Sequence, residues 1–185
     1  MIFFLKSIDQ PKGKAMKLSR DAVLFLRKVF IYIVIIFVAS LLQTSFLAVI
    51  HPFGAVPDLV LLAVLGAGYF RGAQIGGIFG VASGVVAYAM GDIGTAFLPL
   101  LYALVGVAAG ILVDSFFAGK FAVWCLYTAG AAAVKGVYSL VCAVIFSGEL
   151  QLWAVIFKTL VPEFVGTLIL GMALYLPIKR LSKLL

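Results

Sequence analysis

Charge is the scarcest commodity in this sequence. Only 11% of its 185 residues are Asp, Glu, Lys or Arg, against 65% hydrophobic, and the apolar residues come in long blocks at a mean hydropathy of +1.24. Few soluble domains are so apolar, and the pattern reads as an all-α integral membrane protein with several helical spans. A single histidine, His51, excludes a His-rich metal site. The two cysteines, Cys125 and Cys142, share one apolar block. About 25 Å of helix separates them, so they cannot pair within it and read as small buried residues. G-x-S-x-G, H-E-x-x-H, a P-loop and a dinucleotide-binding glycine fingerprint are all missing, so no catalytic, metal or cofactor-binding residue is assigned. Nor is any stretch beyond the N-terminal segment long enough for an extramembrane domain, which excludes a soluble enzyme on an anchor. No A-x-A-like site follows the first apolar block, so no cleavable signal peptide is expected.

What charge there is lies in a pattern. The net charge of +7 would suggest nucleic acid in a soluble protein; here most cations flank apolar blocks, the orientation signal of a membrane protein. Residues 1–28 form a basic segment carrying Lys6, Lys12, Lys14, Lys17, Arg20, Arg27 and Lys28 against Asp9 and Asp21. Met16 opens a second possible start, "MKLSRDAVLFLRK", so residues 1–15 read as a loose extension or a misassigned start. Spans are expected at 29–49, 57–70, 73–90, 96–113, 121–146 and 152–176, making a transmembrane domain over 29–176 followed by a basic tail, 177–185. With six spans, the N-terminal segment, Arg71, Lys120, Lys179, Arg180 and Lys183 share one face. The opposite loops hold Asp58, Asp92 and Glu149 and no Lys or Arg. That split places both termini in the cytoplasm. Trp124, Tyr127 and Tyr175 fall at the inner ends and Trp153 at the outer end, as an aromatic belt requires.

The second span is short: fourteen residues from Pro57 to Phe70 give ~21 Å of helix against a core of ~30 Å. The outer loop "HPFGAVPD" is therefore expected to dip inward, which is allowed only where protein covers its backbone. Asp58 reads as the cap of that helix rather than as a ligand.

The third span carries Gly72, Gly76, Gly80 and Gly84 at every fourth position, with Gly77 beside them. In lipid, small residues in such a row let backbones approach closely. Gly106 and Gly110 repeat the spacing in the fourth span, and Gly130 to Ala133 form a small face in the fifth. The ladder is a packing surface, for a neighbouring helix of the same chain or for a partner's single helix.

Lys135, Lys158 and Glu163 lie inside spans, where an ionisable residue costs at least ~2.5–3.5 kcal/mol and so calls for a partner. Lys135 is eleven residues before Phe146 and Glu163 eleven after Leu152, so an antiparallel hairpin sets both ~16 Å below the outer surface. A Lys135–Glu163 ion pair is expected, as a structural clamp or as a proton or ligand site, and exchanging the two charges together is expected to restore what either single exchange destroys. Lys158, nearer the surface, is expected to snorkel outward, and Pro162 frees a backbone carbonyl one turn earlier. Asp92 and Glu149 read as solvated loop carboxylates, and Asp114 as a partner for Lys120.

The run "LLQTSFLAVIHPFGAVPDLVLLAVLGAGYFRGAQIGGIFGVASGVV" resembles the MreD family of rod shape-determining proteins. The points of similarity are the polar pair Gln43–Thr44, Pro57–Asp58 before an apolar run, the Arg71–Gly72 turn and the glycine-rich span after it. "LLYALVGVAAGIL", "VPEF" at 161–164 and the terminal "LPIKRLSKLL" add to it. The similarity covers about residues 30–113 and, more loosely, 155–185. Where members often carry an aspartate, four residues after Gly84, this chain has Tyr88; Asp92 is the nearest substitute. The resemblance implies a multi-pass, non-enzymatic scaffold of the bacterial inner membrane. It would bind the transmembrane helix of MreC and the complex of RodA with a class B penicillin-binding protein, supporting lateral peptidoglycan synthesis and cell shape. The family is itself similar to the six-helix substrate-binding subunits of ECF vitamin transporters. That supplies the alternative, a transporter subunit with Lys135, Lys158 or Glu163 anchoring a small molecule. The bulky first span, "VFIYIVIIFVASLLQTSF", lacks the small residues such subunits use to dock their partner, and the outer loops are short for a lid.

Overall fold

The computed structural model describes residues 23, 27, 30–50, 55–90, 97–116, 120–147, 153 and 156–184, with the backbone alone at 50, 114–116, 146–147 and 182–184. Nearly all of residues 1–28, His51, Asp92 and Glu149, and the side chains of Asp114 and Lys183, lie outside this description. The chain divides into two compact units, 1–34 and 35–185. In the first, Val23, Arg27 and residues 30–34 are helical.

Every element among the described residues is helical. Helix α1 covers residues 30–50 and includes a π-helical stretch, Leu42–Leu47. Then follow α2, Leu59–Arg71; α3, Ala73–Ala89; α4, Leu98–Phe116; and α5, Phe121–Ser147. Helix α6 covers residues 156–184, a π-helical turn at Ile156–Leu160 running into Val161–Leu184. The last helix thus continues through the basic segment expected as a tail. Phe30–Leu47, Phe121–Ile145 and Ile156–Leu181 are long and apolar enough to cross a membrane; Leu59–Arg71, Ala73–Ala89 and Leu98–Val113 are shorter apolar helices. The surface is apolar to match: Phe37, Phe46, Ile78, Leu104, Leu126 and Val137 are all exposed. A patch of that extent favours lipid over water.

Helix α2 is the axis of the second unit. Nine of its thirteen residues are buried, on all sides of the helix, as expected of a helix enclosed by others. It rises ~20 Å, too short to span a core of ~30 Å. The segment leading into it enters the protein instead, with Ala55, Pro57 and Asp58 buried. Gly72 ends α2 and begins α3 at φ 89°, ψ 170°, a conformation open essentially to glycine alone.

The glycine row of α3 is filled by α4, its most extensive neighbour, running antiparallel. A Cβ on Gly76 would strike the Gly106 carbonyl, one on Gly80 the Tyr102 carbonyl, and one on Gly84 the backbone of Pro99; one on Gly110 would strike Ala73. Each step of about four residues along α3 is matched by a step back along α4. Gly68 of α2 joins the same crossing, packed against both Gly76 and Gly106. Gly72 is not a rung of this seam, because a Cβ there would meet nothing within 4 Å; its role is the turn. The small face of α5 also divides: Ala131 and Ala132 are buried, whereas Gly130 and Ala133 are exposed.

Helices α5 and α6 are pinned by Trp124, which is fully buried and donates its indole N–H to the Gly171 carbonyl at 2.7 Å. Trp124 stands in a ring cluster with Tyr69, Phe70 and Tyr175, so it is a core residue rather than the belt residue the sequence implied. Trp153 is exposed and stacks on Phe157.

Candidate functional site

The start of α2 is where the polar groups of the bundle meet. Asp58 is 1% exposed. Its Oδ1 accepts from the Leu61 amide at 2.8 Å, which is the capping bond. Its Oδ2 accepts from the Tyr102 hydroxyl at 2.6 Å and lies 2.5 Å from Lys135 Nζ. The same ammonium lies 2.9 Å from Glu163 Oε1. The Asp58 amide donates to Thr167 Oγ1, and the Val60 amide to Gln43 Oε1, both at 3.1 Å. Side chains from α1, α4, α5 and α6 therefore converge on one helix N-terminus.

Local structure explains this convergence. The first amides of a helix have no partner within it, and here they are buried away from water, so side chains must satisfy them. Asp58 and Gln43 do so. Gln43 sits in the π-helical stretch of α1, where the backbone departs from α geometry; its neighbour Thr44 turns its hydroxyl back to the Ser40 carbonyl. Formally the cluster has two carboxylates and one ammonium. The N-terminus of α2 contributes the equivalent of about half a positive charge, and the Tyr102 hydroxyl donates into the remaining deficit.

The structure brings Lys135 and Glu163 together, with Asp58 as a third member. Asp58 is both the cap and the shorter ion-pair partner of Lys135, a role not read from the sequence. A signal for it was present: a span ~9 Å too short for the membrane core sets its first residue well below the surface, within about two turns of the depth of Lys135. Tyr102 carried a weaker signal, a hydroxyl in an apolar helix that needs an acceptor. The second carboxylate-to-ammonium contact, from Asp58, also revises the exchange experiment. Swapping the charges of Lys135 and Glu163 would set a carboxylate against Asp58, so the double variant is not expected to recover. Lys158 stays apart: it is exposed on the π-helical turn of α6. Gly76, Gly80, Gly84, Gly106 and Gly110 face backbone of this same chain. Cys125 and Cys142 are free thiols.

A cavity of about 10 Å³ adjoins the cluster, lined by Asp58, Lys135, Glu163 and Thr167 with Leu61 and Phe164. That is the space of about one water molecule. Glu163, whose side chain is 20% exposed, is the most accessible member of the ion cluster. Among the described residues no group of His, Cys, Asp and Glu could hold a metal ion. Compared with protein-family models, with curated proteins and with solved structures, the chain finds no significant match.

Proposed function

We propose that this chain is a six-span, non-enzymatic scaffold of the bacterial cytoplasmic membrane. Both termini lie in the cytoplasm, and the protein acts in the rod complex by binding the transmembrane helix of MreC and the RodA–penicillin-binding protein pair. The charge asymmetry of the loops supports the topology, and the resemblance to the MreD family supports the role. One observation favours a scaffold over a vitamin-binding subunit: the buried charges of the polar cluster are spent on one another. Asp58, Lys135 and Glu163 close together around space for about one water, which leaves no room at that cluster for a vitamin-sized molecule.

The glycine groove is occupied by α4, so the proposed docking surface for MreC is the first span, whose Phe37, Leu41 and Phe46 are exposed. A pull-down from native membrane in mild detergent tests the role. Co-purification of MreC and RodA is expected; co-purification of ATP-driven transporter subunits, or a tightly bound vitamin-like compound, would establish the alternative. Cysteine labelling from each side of the membrane tests the topology, with both termini expected to react from the cytoplasm.

A further inference from the structure

The cavity beside the ion cluster is small and its walls are charged. About 10 Å³ lies between α2, α5 and α6, bordered by Asp58, Lys135, Glu163 and Thr167. An apolar cavity stays dry even when it is large. One that offers roughly 10–15 Å³ and two to four polar partners takes up a water. Here four polar side chains border the space, and three of them, Asp58, Lys135 and Thr167, are buried.

The chemistry of the walls selects the occupant. The Lys135 ammonium, 2.5 Å from Asp58 and 2.9 Å from Glu163, opposes a second cation there. The two carboxylates oppose an anion. A neutral molecule that both donates and accepts suits both. Hydrogen-bond capacity agrees. A carboxylate has roughly four lone-pair sites. Asp58 takes bonds from the Leu61 amide, the Tyr102 hydroxyl and Lys135, which leaves acceptor capacity on Oδ1. Thr167 Oγ1 accepts from the Asp58 amide, and a hydroxyl has a second lone pair and a proton besides. Buried ion pairs hold best when their remaining sites are hydrogen-bonded.

We infer that one water molecule is a fixed member of this cluster, bonded among Asp58, Glu163, Lys135 and Thr167. It donates to the carboxylates and accepts from the ammonium. Its consequence is mechanical. With a water already in place, the direct Lys135–Glu163 contact can lengthen into a bridged one without leaving either charge bare. The inference stands on the cavity and its walls and is independent of the scaffold reading.

Synchrotron hydroxyl-radical footprinting of the full chain in nanodiscs tests it, because X-rays generate the radical from a bound water where it sits and label the adjoining side chains. Leu61 and Leu62 are each 1% exposed, and of the two Leu61 lines the cavity. Leu61 should be modified at least about fivefold faster than Leu62. Thr167→Val, which replaces a polar wall with a methyl, should lower the Leu61 rate at least about threefold, and Thr167→Ser should restore it. The comparison of the two leucines needs no variant, so it decides the matter even if Thr167→Val does not fold. Equal protection of Leu61 and Leu62 in the wild type would show a dry cavity and overturn the inference. A Leu61 rate unchanged in Thr167→Val would mean passing solvent rather than a bound molecule, and would overturn it too. So would a Tm that falls when sodium chloride is replaced by choline chloride at equal ionic strength, which would assign the cavity to a metal cation. The MreC pull-down reads none of these rates, so the two readings fail separately.

Discussion

Removing the ammonium from the ion cluster should do more damage than removing either carboxylate. Lys135→Met keeps most of the side-chain volume and leaves Asp58 and Glu163 facing each other without a cation. Breaking a buried pair by deleting one partner costs about 3–5 kcal/mol. Two features pull the value toward the lower end. Glu163 is 20% exposed on its side chain, and Asp58 keeps its bonds from Leu61 and Tyr102. The expected loss is about 3 kcal/mol, a factor of more than about 100 in the folding equilibrium. Asp58→Asn, which preserves a capping oxygen, should cost less, and Glu163→Gln least, at about 1 kcal/mol, because Lys135 retains Asp58. The decisive variant combines all three changes. A cluster with its charges removed together leaves no uncompensated ion, so the triple variant should be more stable than Lys135→Met alone. Reversible unfolding in bicelles by steric trapping measures each difference. If Lys135→Met lay within about 1 kcal/mol of wild type, or the triple variant fell below it, the electrostatic account of this site would be wrong.

The glycines give a contrast within one protein. Gly106→Leu should separate α3 from α4 and cost at least the ~1–3 kcal/mol typical of overpacking, whereas Gly130→Ala, with no atom within 4 Å of the new methyl, should be neutral or stabilising by up to ~1 kcal/mol; thermal denaturation in detergent ranks them. Gly72→Ala should cost about 1–3 kcal/mol through its backbone conformation despite the open space around it, measured the same way. Thr167→Val should strand the buried Asp58 amide and cost about 1–3 kcal/mol, and Thr167→Ser should recover most of it in the same unfolding assay.

Much of the helix layout was legible because apolar blocks in this chain are bounded by glycine, proline and charge. The Arg71–Gly72 break falls where α2 gives way to α3, and Pro57–Asp58 marks the start of α2. The depth match of Lys135 and Glu163 was legible for a simpler reason: the two helices are consecutive, so one loop fixes their register. Asp58 could not be assigned to the same cluster from spacing alone. It lies 77 residues before Lys135, and only the inward path of residues 55–58, set by how α2 is enclosed, brings it to that depth. Trp124 was misread because its sequence position near a span end is the same for a belt residue and for a core residue that finds an acceptor; the Gly171 carbonyl decides between them. The π-helical stretches left no pattern in the sequence, since they add one residue to a turn without altering which residue types are tolerated.

Gly68, Gly76 and Gly106 bring three backbones to one point with no side chain between them that could yield. Helices α2, α3 and α4 must therefore travel as a single rigid wedge, and bending inside it would mean parting main chain from main chain. Any movement of this wedge relative to the α5–α6 pair has to occur at the boundary where they meet. That boundary is bridged by Asp58 and Tyr102 on one side and Lys135 and Glu163 on the other, so the ion cluster is the lock that such a movement would first have to open.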